Sequence, residues 1–124
     1  MKRRSMSDGK YLNPADYLNN PILKDIINAI LNHLEIEYKY PISANPRELE
    51  DRIVQPQCLG IDRKGNYKLR GYQASKLDNR LFTIPSDGLV NLRLTNRHFY
   101  SKGPKFKKGD SAMDKIICEL DFDD

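Results

Sequence analysis

The longest regular pattern of apolar positions lies between Asn20 and Leu34. Ile22, Leu23, Ile26, Ile27, Ile30, Leu31 and Leu34 recur at steps of three and four, with Lys24, Asp25, Asn28 and Asn32 on the other side. That spacing predicts an amphipathic helix. Asn20 can cap its first turn, and Pro21 stands where a missing N–H costs nothing. After Leu34 the period falls to two: Ile36, Tyr38 and Tyr40 alternate with Glu37 and Lys39, the signature of a half-buried strand.

Residues 41–50 read as a loop. Further strands are expected at Arg52–Ile61, where Pro56 marks an edge position or a bulge, and at Tyr67–Ala74, Arg80–Ile84 and Leu89–Thr95. Polar turns separate them, with Gly65 and Gly88 free to supply positive φ. Near the end Ile116, Cys118, Leu120 and Phe122 alternate with Ile117, Glu119 and Asp121, a closing strand with a short helix as the alternative. Short strands with turns every 8 to 12 residues or so predict a mainly β (α+β) fold, a small barrel of five to six strands preceded by one helix.

The layout expected is a flexible arm over 1–20, helix plus barrel over 21–99, a basic flexible loop over 100–112, and a closing strand with an acidic tail over 113–124. The 124 residues suffice for one domain. No apolar run approaches the roughly 18 residues of a membrane span, and no apolar stretch comes after the basic start Met1-Lys2-Arg3-Arg4. Neither a membrane partner nor a secretory signal is expected, and the expected compartment is the cytoplasm. Cys58 and Cys118 stand 60 positions apart in apolar surroundings. They suit buried free thiols of a reducing compartment, with a disulfide as the other reading.

The formal net charge of +4 is unevenly spread. Residues 1–46 carry 6 Lys/Arg against 5 Asp/Glu, residues 47–110 carry 14 against 7, and residues 111–124 carry 1 against 5. An anionic partner would therefore go to the middle of the chain; a solvated surface explains the same charges. His33 and His98 have no Cys or carboxylate at metal-ligand spacing, and Glu119, Asp121, Asp123 and Asp124 sit at a chain end, where a solvated tail is the simpler reading. No motif for nucleophilic catalysis or phosphate cradling is present, so no cofactor, no metal and no enzyme activity are expected.

The third strand is the richest in candidate chemistry. By alternation Tyr67, Leu69, Gly71 and Gln73 share one face, and Lys68, Arg70 and Tyr72 the other. If the first set faces the core, two cations and an aromatic ring line the outer surface. That combination can neutralise phosphates and stack on bases, and an arginine can grip a phosphate in bidentate fashion. Arg52, Arg80, Arg93 and Arg97 on neighbouring strands could converge there. The same residues also describe a solvated sheet face in which Tyr72 serves strand propensity.

Over about residues 26–99 the chain resembles the WYL domain, a small Sm/SH3-like barrel usually attached to helix-turn-helix regulators of bacteria and phages. Ile27-Ile30-Leu34-Ile36-Tyr38 resembles the family's helix-into-strand opening, and Arg52-Ile53-Val54-Gln55-Pro56 its arginine-then-proline strand. Gly65-Asn66-Tyr67-Lys68-Leu69 occupies the place of the naming triplet, here Tyr-Lys-Leu, and Arg80-Leu81-Phe82 resembles the following arginine and aromatic. Asp87-Gly88-Leu89, Thr95 and Phe99 stand where the family has Asp-Arg-Ile and a later Thr and Phe, with Gly88 in place of an arginine after an insertion at Pro85-Ser86. The resemblance implies a ligand pocket involving Arg52, Tyr67, Arg80 and a structural Leu69; with only about 20 residues ahead of the helix, too few for a helix-turn-helix, a free-standing module is expected. The resemblance further implies sensing of single-stranded nucleic acid or a nucleotide-like anion. A protein-interaction or structural module, acting as a homo-oligomer or by edge-strand docking on a protein partner, is the second expectation.

Overall fold

The computed structural model describes residues 9–122. The Asn20 side chain accepts hydrogen bonds from the Ile22 and Leu23 N–H groups at 3.1 and 3.2 Å, opening helix α1 (Pro21–Asn32). The helix buries Leu23, Ile26, Ile27, Ala29 and Ile30. It stops at His33, whose left-handed backbone (φ 55°) lets its own N–H reach back to the carbonyls of Ala29 and Ile30, a helix end of the αL type.

Among the described residues six strands come after the helix: β1 (Leu34–Pro41), β2 (Leu49–Ile61), β3 (Tyr67–Gln73), β4 (Asp78–Ile84), β5 (Val90–His98) and β6 (Lys115–Glu119). Their pairings are antiparallel, in the order β4-β3-β2-β1-β5, with β6 also paired to β2. The mainly β fold with one leading helix is as expected. Its sheet is open, because β4 and β5 stand at opposite ends of the order and do not pair with each other. The closed Sm/SH3-like barrel is thus replaced by a sheet that curls without closing.

The curl is produced by β2. Its first half pairs with β1, from Leu49↔Pro41 to Val54↔Ile36, and its second half pairs with β3 and β6. Between the halves the register slips after Pro56, leaving Gln57 as the extra residue of a bulge; a bulge bends and twists its strand. Gly71 permits the close crossing that results, since a Cβ there would lie 2.1 Å from Val54 Cγ1. The bend brings β1 over β4, where Phe82 meets the rings of Tyr38 and Tyr40 edge-on at 5.5 and 5.0 Å. Across the unpaired gap the Tyr40 hydroxyl donates to Thr83 O at 3.3 Å and accepts from Thr83 N–H at 3.0 Å. One side chain here takes the place of a strand pair.

Ile36, Tyr38, Val54, Leu59, Leu69 and Phe82 are all 1% exposed or less and pack with the buried stripe of α1. A second bulge shapes β6: Leu59 pairs with Cys118 but Gly60 with Ile116. Ile116 therefore joins Cys58 and Met113 in a small outer cluster while Ile117, Cys118 and Leu120 face the main core. The simple alternation expected for this segment is broken there, and the strand itself is present. Both thiols are free and buried, in different clusters.

Two segments expected to be flexible are held down. From the proposed arm, Leu12 N–H donates to Ile116 O at 2.8 Å, and Ile116 N–H donates to Lys10 O at 2.7 Å, so residues 10–12 run beside β6. Residues 14–17 form a single 3-10 turn; residues 1–8 of the arm and the last two residues of the acidic tail lie outside the described residues. The basic loop is likewise pinned, by Gln57 Nε2 donating to Lys102 O, Asn79 Nδ2 to Pro104 O and Gly109 N–H to Glu119 Oε2.

Candidate nucleic-acid interface

The faces of β3 fall as alternation dictates. Leu69, Gly71 and Gln73 are buried, while Lys68, Arg70 and Tyr72 point to the other side, half-buried. The rest of the expected cluster does not join them. Arg80 pairs with Gly71 across β4 and so belongs to the opposite face, its guanidinium 5.9 Å from the Tyr40 ring and 5.4 Å from that of Phe82. Arg93 sits on β5, bonded to Glu37 at 2.6 Å in the charged outer face of β1 and β5. Tyr67 lines a separate cleft with Pro21, Ile22 and Pro85.

Arg52 is the clearest correction. It is only 2% exposed, inside the curl of the sheet, where its guanidinium donates to Gln73 Oε1 at 3.4 Å and Pro41 O at 3.1 Å, with Glu50 at 3.4 Å. A cation so enclosed ties the ends of β1, β2 and β3 together and has no free face for a ligand. Tyr38, its partner in register, has a phenol pushed well above its usual pKa, chiefly by burial and further by Tyr40, with Arg52 and Arg80 pulling the other way. The seven expected residues therefore divide: Lys68, Arg70 and Tyr72 share the outer face of β3, Arg52 and Arg80 come together on the other side, each guanidinium 5.9 Å from the Tyr40 ring, and Tyr67 and Arg93 lie apart from both groups.

That shared face is partly roofed by the segment 102–113. Gly103 lies against Tyr72, where an added Cβ would stand 3.6 Å from the Tyr72 Cβ, and Asp110 grips Arg70 with Oδ2 on Nε at 2.8 Å and Oδ1 on Nη2 at 3.3 Å. Burial works to raise the Asp110 pKa; the Arg70 bonds, the Ala112 N–H and the nearby Lys10 outweigh it and hold the carboxyl below its ordinary range.

On either side of this roof the outer face opens into a cleft. The larger, about 750 Å³, is lined by Lys10, Arg63, Lys64, Lys68 and Lys115 against Asp62 and Asp114. Asp62 is occupied by the turn: its Oδ1 accepts from the Lys64 and Asn66 N–H groups, both at 2.9 Å, and these bonds, the Asn66 N–H first, lower its pKa against the opposing effect of burial. Lys68 donates to Thr83 Oγ1 at 2.6 Å, with Asp62 at 3.8 Å. Arg63 and Lys64, at the hairpin tip, carry no ion pair among the described residues. The smaller cleft, about 370 Å³, is lined by Gln57, Arg70, Asn79, Lys105, Phe106, Lys107, Asp110 and Ser111.

Lys68 and Arg70 lie two residues apart on one strand face, about 7 Å, and Ser111 borders both clefts, so the two form one basic tract. Lys10, Arg63, Lys64 and Lys115 were not legible as site residues. Arg63 and Lys64 read only as turn residues; Lys10 and Lys115 reach the tract because the N-terminal segment and β6 run side by side next to β2. Comparison with protein-family models, with curated proteins and with solved structures finds no match. Among the described residues no helix is long and apolar enough to cross a membrane, and no group of three or more His, Cys, Asp or Glu is placed to hold a metal ion.

Proposed function

We propose that this protein is a non-catalytic regulatory module that binds single-stranded nucleic acid through the phosphate backbone, along the tract from the β2–β3 hairpin tip to the segment 105–107. The observation that carries the reading is the charge of that tract: Lys10, Arg63, Lys64, Lys68, Arg70, Lys105, Lys107 and Lys115 against Asp62, Asp110 and Asp114. Two of the three carboxylates are already spent on a turn and on Arg70. The larger cleft has no aromatic lining, so recognition there rests on phosphate and tolerates any sequence. Kinship with WYL domains is part of this proposal. It moves the ligand away from Arg52 and Arg80 and onto residues the resemblance does not include, apart from its neighbours on β3.

Fluorescence anisotropy with labelled single-stranded DNA, single-stranded RNA and duplex DNA tests it. If four cations neutralise phosphates, log affinity falls with log salt at a slope of about −2.8 for a single strand, about a 50-fold loss between 50 and 200 mM. Replacing Arg63 and Lys64 together by Ala should halve that slope. Arg80→Ala, on the opposite face, should leave it unchanged. Affinity indifferent to salt, or lost with Arg80 and retained without Arg63 and Lys64, refutes the tract.

A further inference from the structure

The smaller cleft differs in kind from the larger one. Its floor is Gln57, the fully buried extra residue of the β2 bulge, whose amide accepts from Asn79 Nδ2 at 2.8 Å and donates to Lys102 O at 2.9 Å. Asn79 spends its Nδ2 there and on Pro104 O at 3.1 Å, which leaves its Oδ1 without a bond among the described residues. The Ser111 hydroxyl, also on the rim, is in the same condition. Arg70 meets Asp110 through Nε and Nη2, so Nη1 retains its two donors. Lys105 and Lys107 bring two further cations, without ion pairs among the described residues, and Phe106 between them brings a half-buried ring.

Lys105 is held at φ 63°, a left-handed conformation that costs a non-glycine residue on the order of 1 kcal/mol or more. Phe106, the next residue, lines the cleft and also packs against the main core. The volume, about 370 Å³, falls within the roughly 300–1,000 Å³ of small-molecule sites.

We infer that this pocket receives one whole nucleotide unit, its phosphate on Arg70 Nη1, Lys105 and Lys107, its base against Phe106 and its exocyclic amine on Asn79 Oδ1 and the Ser111 hydroxyl. This rests on the nucleic-acid reading and deepens it: the phosphate tract ends in a pocket that reads a base. A nucleoside monophosphate is then the smallest ligand that fills it.

The test is an amide NMR titration of the intact chain with adenosine 5′-monophosphate, adenosine and inorganic phosphate in parallel, with the labelled single strand as a fourth arm. The monophosphate should shift the Gln57, Asn79, Phe106 and Ser111 amides and bind more tightly than either fragment. Phe106→Leu should weaken the monophosphate about tenfold, as loss of a stacking ring does, and leave inorganic phosphate unchanged; Lys105→Ala with Lys107→Ala, both exposed, should weaken monophosphate and phosphate alike. Equal binding of monophosphate and phosphate, insensitive to Phe106→Leu, overturns the pocket and leaves only an anion patch. Absence of any shift with the monophosphate, while the strand still binds with its salt slope, overturns the pocket and spares the tract. Pocket shifts with the monophosphate, without salt-dependent strand binding, spare the pocket and overturn the tract.

Discussion

Asp110 offers the sharpest test of how the basic segment is held, because it joins that segment to the sheet at a partly buried ion pair. Asp110→Ala removes two hydrogen bonds to Arg70 and one from the Ala112 N–H, and it strands a guanidinium whose side chain is 26% exposed. Exposed pairs contribute about 0–1 kcal/mol, whereas breaking a fully buried one costs about 3–5 kcal/mol; the intermediate burial here puts the loss near 2 kcal/mol. With an unfolding entropy of about 2.1 cal/mol/K per residue, a chain of this length loses about 8 °C in Tm. Arg70→Ala should cost a similar amount, and the double variant little more than either single change, giving a coupling of about 1–2 kcal/mol. Because the folded-state Asp110 pKa is depressed, its contribution is present above the unfolded carboxylate pKa and is lost as pH falls through the folded value. The gap between wild type and Asp110→Ala should therefore be full at pH 7 and shrink progressively below about pH 4. Urea unfolding followed by tyrosine fluorescence at pH 7, 4 and 3 measures it. Additive single changes, or a gap that persists unchanged at low pH, would refute the claim that this pair anchors the segment.

Three further outcomes are expected from the packing. Arg52→Ala should destabilise the fold by about 3 kcal/mol, since it empties an enclosed site and leaves Gln73 Oε1 and the Pro41 carbonyl without their buried donor, yet nucleic-acid affinity per folded molecule should not change; anisotropy on a sample kept folded by low temperature separates the two effects. Tyr40→Phe should cost about 1–2 kcal/mol and speed hydrogen exchange at the Thr83 amide, which bonds to the lost hydroxyl, while exchange in β1 changes less. Cys58 and Cys118 should resist a thiol reagent at pH 8 in the native state and react at once in denaturant, because both are buried and burial, aided by Glu119 and Asp110, raises the Cys58 thiol far above its free value; rapid native labelling would contradict the packing.

The elements of this chain are written locally. Asn20, Pro21 and the apolar steps from Ile22 to Ile30 suffice to start and face α1, and the alternation of Tyr67 to Gln73 suffices to put Lys68, Arg70 and Tyr72 on one side of β3, since both are consequences of fixed backbone periods. Those periods cannot carry which strands become neighbours or where the sheet bends. The Gln57 bulge turned Arg52 into the curl, and the bend set against Tyr40 an Arg80 that its register with Gly71 had placed on the face away from Arg70. The slip at Ile116 and Gly60 and the docking of residues 10–12 carried Lys10 and Lys115 to the hairpin tip. A bulge shifts register by one residue and so exchanges faces for the rest of its strand, and a long loop can lie on any surface its length allows. Backbone period, legible in the chain, thus assigns side chains to a face of their own element; only folding in three dimensions settles which of those faces meet.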